Sequence, residues 1–163
     1  MPETNTDIYW DANTFLSYIN EHPERLLTLE TLLDTSADGQ ITIYTSALSQ
    51  VEVAFAASEL QQRALDQEQE RRIDALWSDS STVEIVEYHD GIGGQARALM
   101  REAAVSGRSL KPLDAIHLAT AQWLLIIGFP ISEFHTYDRR LWRFGQSVQF
   151  NICEPYIVQP RML

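Results

Sequence analysis

The chain has 163 residues, 45% hydrophobic and 21% charged; this composition excludes a disordered tail and predicts one globular domain spanning residues 1–163. Its 23 acidic and 12 basic residues give a net charge of −11, the opposite of what phosphate-binding surfaces usually carry. The single cysteine, Cys153, excludes an internal disulfide, and no apolar stretch resembles a secretion signal or membrane span, so we expect a cytoplasmic protein that does not associate with membranes.

The first half of the chain alternates between strand and helix patterns. A β-prone run at residues 8–10 ends on Asp11 and precedes helical spacing at residues 14–20. A second helix is expected from Pro23 to a stop at residues 38–39. Residues 40–45 alternate like a strand, and Ser46 is placed as the cap of a helix through residue 55, with Glu52 about two turns inside it.

The second half continues this alternation. Residues 61–77 predict one charged helix with a solvated face, residues 82–88 a strand, and residues 90–107 a helix. Pro112 suits the first position of an apolar helix that ends at Gly128. A brief strand at residues 134–137 reaches Asp138, and after a short helical piece a last strand covers residues 148–153. Five strands separated by helices predict an α/β fold, a three-layer α/β/α sandwich with a central parallel sheet.

Four acidic residues stand where such a fold places its ligand site. Open parallel sheets bind ligands outside the carboxyl ends of their strands. Asp11 and Asp138 close predicted strands, and Glu52 and Asp114 lie in helices that begin near that edge. Hard cations such as Mg²⁺ and Mn²⁺ prefer oxygen ligands, and clustered carboxylates repel one another without a cation between them. The pattern predicts a divalent metal site suited to phosphodiester hydrolysis.

Each acid, taken alone, also has a structural interpretation. Asp11 and Asp138 could cap or start a turn, Glu52 could pair with an arginine, and Asp114 could complement a helix dipole. Asp114 carries most weight for a metal, because it lies in an apolar segment, PLDAIHLATA, where an uncompensated carboxylate is costly to bury.

Four segments carry a resemblance to the PIN domains, and within them to the VapC-like ribonuclease toxins. The segments are IYWDANTFLSYI, TSALSQVEVAFA, SLKPLDAIHLATA and HTYDRRL. By this resemblance Asp11, Glu52, Asp114 and Asp138 are metal-binding and catalytic residues, Ser46 supports the site, and Thr136 binds a water or the scissile phosphate. The resemblance also implies Mg²⁺ or Mn²⁺ as cofactor, single-stranded RNA as substrate, a homodimer and a neutralising antitoxin protein.

Several residues keep two interpretations. Asn13 either orients Asp11 or a metal-bound water, or is a turn residue before the helix. His117 is either a general acid or a hydrogen-bonded, partly buried histidine, and we favour the second. Arg139 and Arg140 either guide phosphate or form a solvated basic turn. Cys153 is interpreted as a small strand residue.

Two other functions compete with the nuclease. The strong acidity also suits a PIN-fold binding or scaffold protein with weak or no catalysis. A Mg²⁺-dependent phosphatase would use strand-end aspartates as well, but such enzymes usually need a nearby lysine, and Lys111 is the only lysine. A local excess of bases near Asp114 and Asp138 favours the nuclease. These bases are Arg97, Arg101, Arg108, Lys111, Arg139, Arg140 and Arg143.

Overall fold

A computed structural model describes residues 6–158 and contains the predicted five-stranded parallel sheet. The strands are β1 (Thr6–Trp10), β2 (Ile41–Ser46), β3 (Glu84–Val86), β4 (Ile131–His135) and β5 (Asn151–Cys153). Their order is β3-β2-β1-β4-β5, and all neighbours are parallel. β1 is central, and the order changes direction between β1 and β4, so the rule for open sheets places a ligand outside the ends of these two strands.

Helices cover both faces of the sheet. They are α1 (Ala12–Ile19), α2 (Leu26–Ala37), α3 (Ser49–Glu52), α4 (Ala57–Gln62), α5 (Gln67–Ser78), α6 (Asp90–Val105), α7 (Pro112–Ile126) and α8 (Arg139–Trp142). Side chains alternate along β1: Ile8 and Trp10 pack with α1, α2 and α5, whereas Tyr9 packs with α6 and α7. The α/β/α sandwich predicted from the sequence is therefore confirmed.

The helices of the middle region differ most from the prediction. Glu52 closes α3, a helix of four residues, and does not lie two turns inside a long helix. The expected single helix over residues 61–77 is two helices, because Arg63 has a left-handed backbone (φ 50°) that ends α4. Asp66 then begins α5 by accepting hydrogen bonds from the amides of Glu68 and Gln69.

Smaller differences concern element ends. Pro23 lies in a turn, and α2 begins three residues later at Leu26. Ser46 is the last residue of β2 and not the cap of a long helix, although its hydroxyl accepts a hydrogen bond from the amide of Leu48. β4 begins and ends earlier than expected, which places Thr136 and Asp138 just beyond it. Among residues 6–158, no helix is both long and apolar enough to cross a bilayer.

Candidate metal centre at the carboxyl edge of the sheet

Asp11 follows β1 and is held from both sides. Its Oδ1 accepts hydrogen bonds from the Thr14 amide (3.1 Å) and the Thr14 hydroxyl (2.9 Å), which makes Asp11 the N-cap of α1. Its Oδ2 accepts a hydrogen bond of 2.6 Å from the Thr136 hydroxyl. Burial raises the pKa of Asp11, and the neighbouring His117 and the threonine hydroxyls oppose that rise. The carboxylate is therefore a buried acid whose orientation is fixed before any ligand binds.

Thr136 connects Asp11 to Asp138. The same Thr136 hydroxyl accepts a hydrogen bond of 3.0 Å from the Asp138 amide. Asp138 caps α8 through the Arg140 amide, and its two oxygens accept from the Arg140 guanidinium at 3.0 and 2.7 Å. This fork-like pairing lowers the pKa of Asp138. Asp138 is thus ionised and partly neutralised, and Arg140 is engaged with it rather than free to bind phosphate.

Asp114 lies in the first turn of α7, as predicted, and faces the other acids. Burial raises its pKa, and the charges of Asp138 and Asp11 raise it further. In the part of the chain that the structure describes, its carboxylate accepts no hydrogen bond. His117 and Arg140 lower the pKa but do not cancel the rise. Such a carboxylate gains from a bound cation, since no hydrogen-bond donor stabilises its charge against two neighbouring carboxylates.

Glu52 is tied to the core by a relay of hydrogen bonds. His117 Nε2 lies 2.7 Å from Glu52 Oε1, and His117 Nδ1 lies 2.7 Å from the Tyr9 hydroxyl. That hydroxyl accepts a hydrogen bond of 2.9 Å from the Ser46 amide. If Tyr9 donates to Nδ1, neutral His117 carries its proton on Nε2 and donates it to Glu52. The buried histidine with two partners is the interpretation that the sequence favoured.

The four carboxylates face a common region but do not converge on one point. Across residues 6–158, no three of them bring oxygens within 4.8 Å of one another. A cleft of about 370 Å³ opens at this edge, and neither Asp11 nor Asp138 is among the residues that line it. Its walls are Glu52, Lys111, Pro112, Leu113, Asp114 and Arg140. This spacing suits a hydrated ion, because Mg²⁺ usually keeps several waters and binds one or two carboxylates directly.

The two proposed supporting residues have different surroundings. Asn13 is exposed on α1, and the hydrogen bonds to Asp11 come from Thr14 and Thr136 instead, so Asn13 does not orient the carboxylate directly. Ser46 is buried, and its amide supports Tyr9.

Sequence reasoning missed Thr14 and Tyr9 as parts of the site. Each had a local signal: Thr14 lies three residues after a helix-capping aspartate, and Tyr9 lies two residues before that aspartate, near the carboxyl end of β1. The pairing of His117 with Glu52 spans 65 residues and had no signal of that kind.

Comparison with known proteins agrees with this architecture. The family described as PIN domain matches residues 8–145. Among solved structures, the chain is similar to VapBC2 from Rickettsia felis bound to a promoter DNA fragment (15% identity, 93% of this chain and 99% of that chain, TM-score 0.65). It is also similar to FitAcB from Neisseria gonorrhoeae (14% identity, 91% of this chain and 97% of that chain, TM-score 0.58). A third similar structure is VapBC-1 from nontypeable Haemophilus influenzae (11% identity, 90% of this chain and 98% of that chain, TM-score 0.58). No curated protein matches the chain. At these identities the solved structures show a shared fold.

Proposed function

This chain belongs to the PIN domain family, and we propose that it is a VapC-like toxin, an endoribonuclease that uses Mg²⁺ or Mn²⁺ to hydrolyse phosphodiester bonds in single-stranded RNA. The observation that carries the proposal is the grouping of acids at the carboxyl edge of the sheet: burial raises the pKa of Asp114, and the nearby charges of Asp138 and Asp11 raise it further. A site that keeps these carboxylates together without a base for each is suited to a divalent cation.

The residues present fit such an ion. Asp11 and Asp114 would hold it directly, Glu52 would be a further ligand, and Asp138 would act through a water. All four offer oxygen, the donor that Mg²⁺ and Mn²⁺ prefer. A bound divalent ion would lower the pKa of an attacking water and polarise the phosphate.

The protein's own groups would position the site and the substrate. Thr136 and Thr14 fix the direction of the Asp11 carboxylate, and His117 fixes Glu52. Such hydrogen bonds to ligands commonly tune metal affinity. Lys111, exposed at the cleft, supplies a positive charge where a phosphate would enter. This local positive charge would attract a phosphate although the chain as a whole is acidic.

We further propose that the protein is cytoplasmic, forms a homodimer and pairs with an antitoxin. The solved relatives named VapBC2, FitAcB and VapBC-1 are complexes of paired proteins, and this supports a cognate partner. An antitoxin that places an arginine in the acidic cleft would neutralise the repulsion described above and exclude the metal. A complex that leaves Glu52 and Asp114, the two acids that line the cleft, open to solvent would contradict this mode of inhibition.

The test is cleavage of a fluorescent single-stranded RNA by purified protein with Mg²⁺ or Mn²⁺. Wild type should cleave, chelator should abolish cleavage, and Asp11→Asn and Asp114→Asn should be inactive. Asp34→Asn is the matched control, because Asp34 is an exposed acid on α2, away from the cleft. Full activity in Asp114→Asn, or loss of activity in Asp34→Asn alone, would overturn the assignment.

The strong acidity favours a second candidate, a PIN-fold binding module with little catalysis. It predicts that Mn²⁺ raises the melting temperature through the same carboxylates while no RNA is cleaved. The nuclease hypothesis predicts that Mn²⁺ raises the melting temperature and that RNA is cleaved.

A further inference from the structure

A second group of chemically reactive side chains lies outside the carboxylate cleft. Glu133 and His135 are two residues apart on β4 and therefore project from the same face of the sheet. Cys153 pairs with His135 in the register of β4 and β5. We call Glu133, His135 and Cys153 the β4–β5 cluster. It combines a carboxylate, an imidazole and a thiol, and it is the thiol that the carboxylate centre lacks.

Two distances within the β4–β5 cluster are close to the separations between ligands of a single ion. Cys153 Sγ lies 3.3 Å from Glu133 Oε2, and His135 Nε2 lies 3.5 Å from Glu133 Oε1. One donor atom from each residue can be chosen so that all three lie within 4.8 Å of one another. Ligands bound tetrahedrally to Zn²⁺ at their usual bond lengths are separated by roughly 3.3–3.6 Å. Small movements of side chains would complete the geometry.

His135 provides an independent sign that a ligand belongs here. The side chain is fully buried, and neither ring nitrogen has a hydrogen-bond partner among the described residues. The 3.5 Å separation from Glu133 is too long for a good hydrogen bond. Leaving a buried polar group unpaired is costly, so a buried imidazole aimed at a carboxylate and a thiol needs another partner.

The segment after β5 closes over the same group. The Tyr156 hydroxyl donates a hydrogen bond of 2.7 Å to Glu133 Oε1, and the Tyr156 ring lies 5.7 Å from the His135 ring. β5 is an edge strand of only three residues, so few backbone hydrogen bonds hold it. An ion shared by β4 and β5 would fasten this edge strand.

We propose that the β4–β5 cluster is a Zn²⁺ site, formed by the Glu133 carboxylate, the His135 imidazole and the Cys153 thiolate, with a water as fourth ligand. Binding releases the thiol proton to solvent and forms one bond from each side chain to the ion. Thiolate and imidazole favour Zn²⁺ over Mg²⁺, so the two sites select different metals. The site is independent of the nuclease proposal and stands if RNA cleavage fails.

Because Cys153 is the only cysteine, its thiolate provides a specific signal. Co²⁺ is titrated into metal-free, reduced full-length protein, and the near-ultraviolet absorption of thiolate-to-cobalt charge transfer is recorded. We expect this band in wild type and in the Asp11→Asn/Asp114→Asn double variant, and its loss on adding one equivalent of Zn²⁺. Cys153→Ser should lack it. Tyr156→Phe, which keeps all three ligands, should retain it.

Thiol reactivity gives a measurement on the wild type alone, in case a variant fails to fold. One equivalent of Zn²⁺ should slow alkylation of Cys153 by at least tenfold, and Mg²⁺ should not. No band at saturating Co²⁺, together with alkylation that Zn²⁺ leaves unchanged, would overturn the proposal. That result would show the cluster to be a hydrogen-bonded clamp in which Cys153 and Tyr156 donate to Glu133.

Discussion

Thr136 is the residue whose replacement should disturb the carboxylate centre most specifically. Thr136→Val keeps the shape of the side chain and removes the hydroxyl that donates to Asp11 Oδ2 at 2.6 Å and accepts from the Asp138 amide at 3.0 Å. A hydrogen bond to a charged group contributes about 1.5–3 kcal/mol, and a buried unpaired amide costs about 1–3 kcal/mol. Since the Asp138 amide is only partly buried, we expect a loss of ~2–4 kcal/mol in the free energy of unfolding.

The assay is urea denaturation of metal-free protein at neutral pH, followed by Mn²⁺ titration of the folded variant. Thr136→Ser is the matched control, because it retains the hydroxyl, and it should stay within about 1 kcal/mol of wild type. Thr136→Val should also bind Mn²⁺ ~10–100-fold more weakly, as expected when a partner of a metal ligand is lost. A Val variant as stable as the Ser variant would refute the view that this hydroxyl organises the centre.

Three further outcomes are expected. His117→Leu removes the ring nitrogen that contacts Glu52 and should weaken Mn²⁺ binding by ~10–100-fold. Unchanged Mn²⁺ affinity in calorimetry would contradict this. Lys111→Gln should weaken RNA binding and reduce the slope of log K against log[salt] by about 0.7, while Arg71→Gln, an exposed charge on α5, should leave the slope unchanged. Burial raises the pKa of Asp7 to about 6, so the folded protein holds a proton that the unfolded chain releases above its ordinary pKa, and stability falls as pH rises through roughly 4 to 6. Asp7→Asn should remove that pH dependence and stabilise the protein by up to ~3 kcal/mol at pH 7 but not at pH 4. Urea denaturation at pH 4 and pH 7 measures this. An equal change in the free energy of unfolding at both pH values would refute the raised pKa of Asp7.

The sheet and the best-buried helix were predictable because their signals are local. β1 and β2 alternate or run apolar between polar turns, and α7 begins with Pro112 and ends before Gly128, whose φ of 102° suits glycine. The break between α4 and α5 was missed, since a left-handed Arg63 leaves no mark in hydrophobic spacing. Helical periodicity likewise continued past Glu52, where the chain leaves the helix after one turn.

The candidate centre was predictable in its acids and not in their supports. Asp11 and Asp138 follow strands, and residues that follow parallel strands lie at one edge of the sheet. This placement can be predicted without knowing how the side chains pack. The Thr136 hydroxyl contacts both aspartates, but Thr136 lies 125 residues after Asp11 in the sequence. Contacts of this kind depend on the register of β1 and β4, which the pattern of single strands does not specify. The same reason hid the β4–β5 cluster, in which Cys153 was interpreted as a simple strand residue.

The central claim is that the carboxylates at the edge of the sheet hold a divalent cation. Isothermal titration calorimetry of Mn²⁺ binding to wild type, Asp114→Asn and Asp34→Asn tests it most directly. Each protein also carries Cys153→Ser, so that the β4–β5 cluster does not contribute to the signal. We predict saturable binding in wild type and Asp34→Asn and its loss in Asp114→Asn. Equal Mn²⁺ affinity in Asp114→Asn and wild type would contradict the claim.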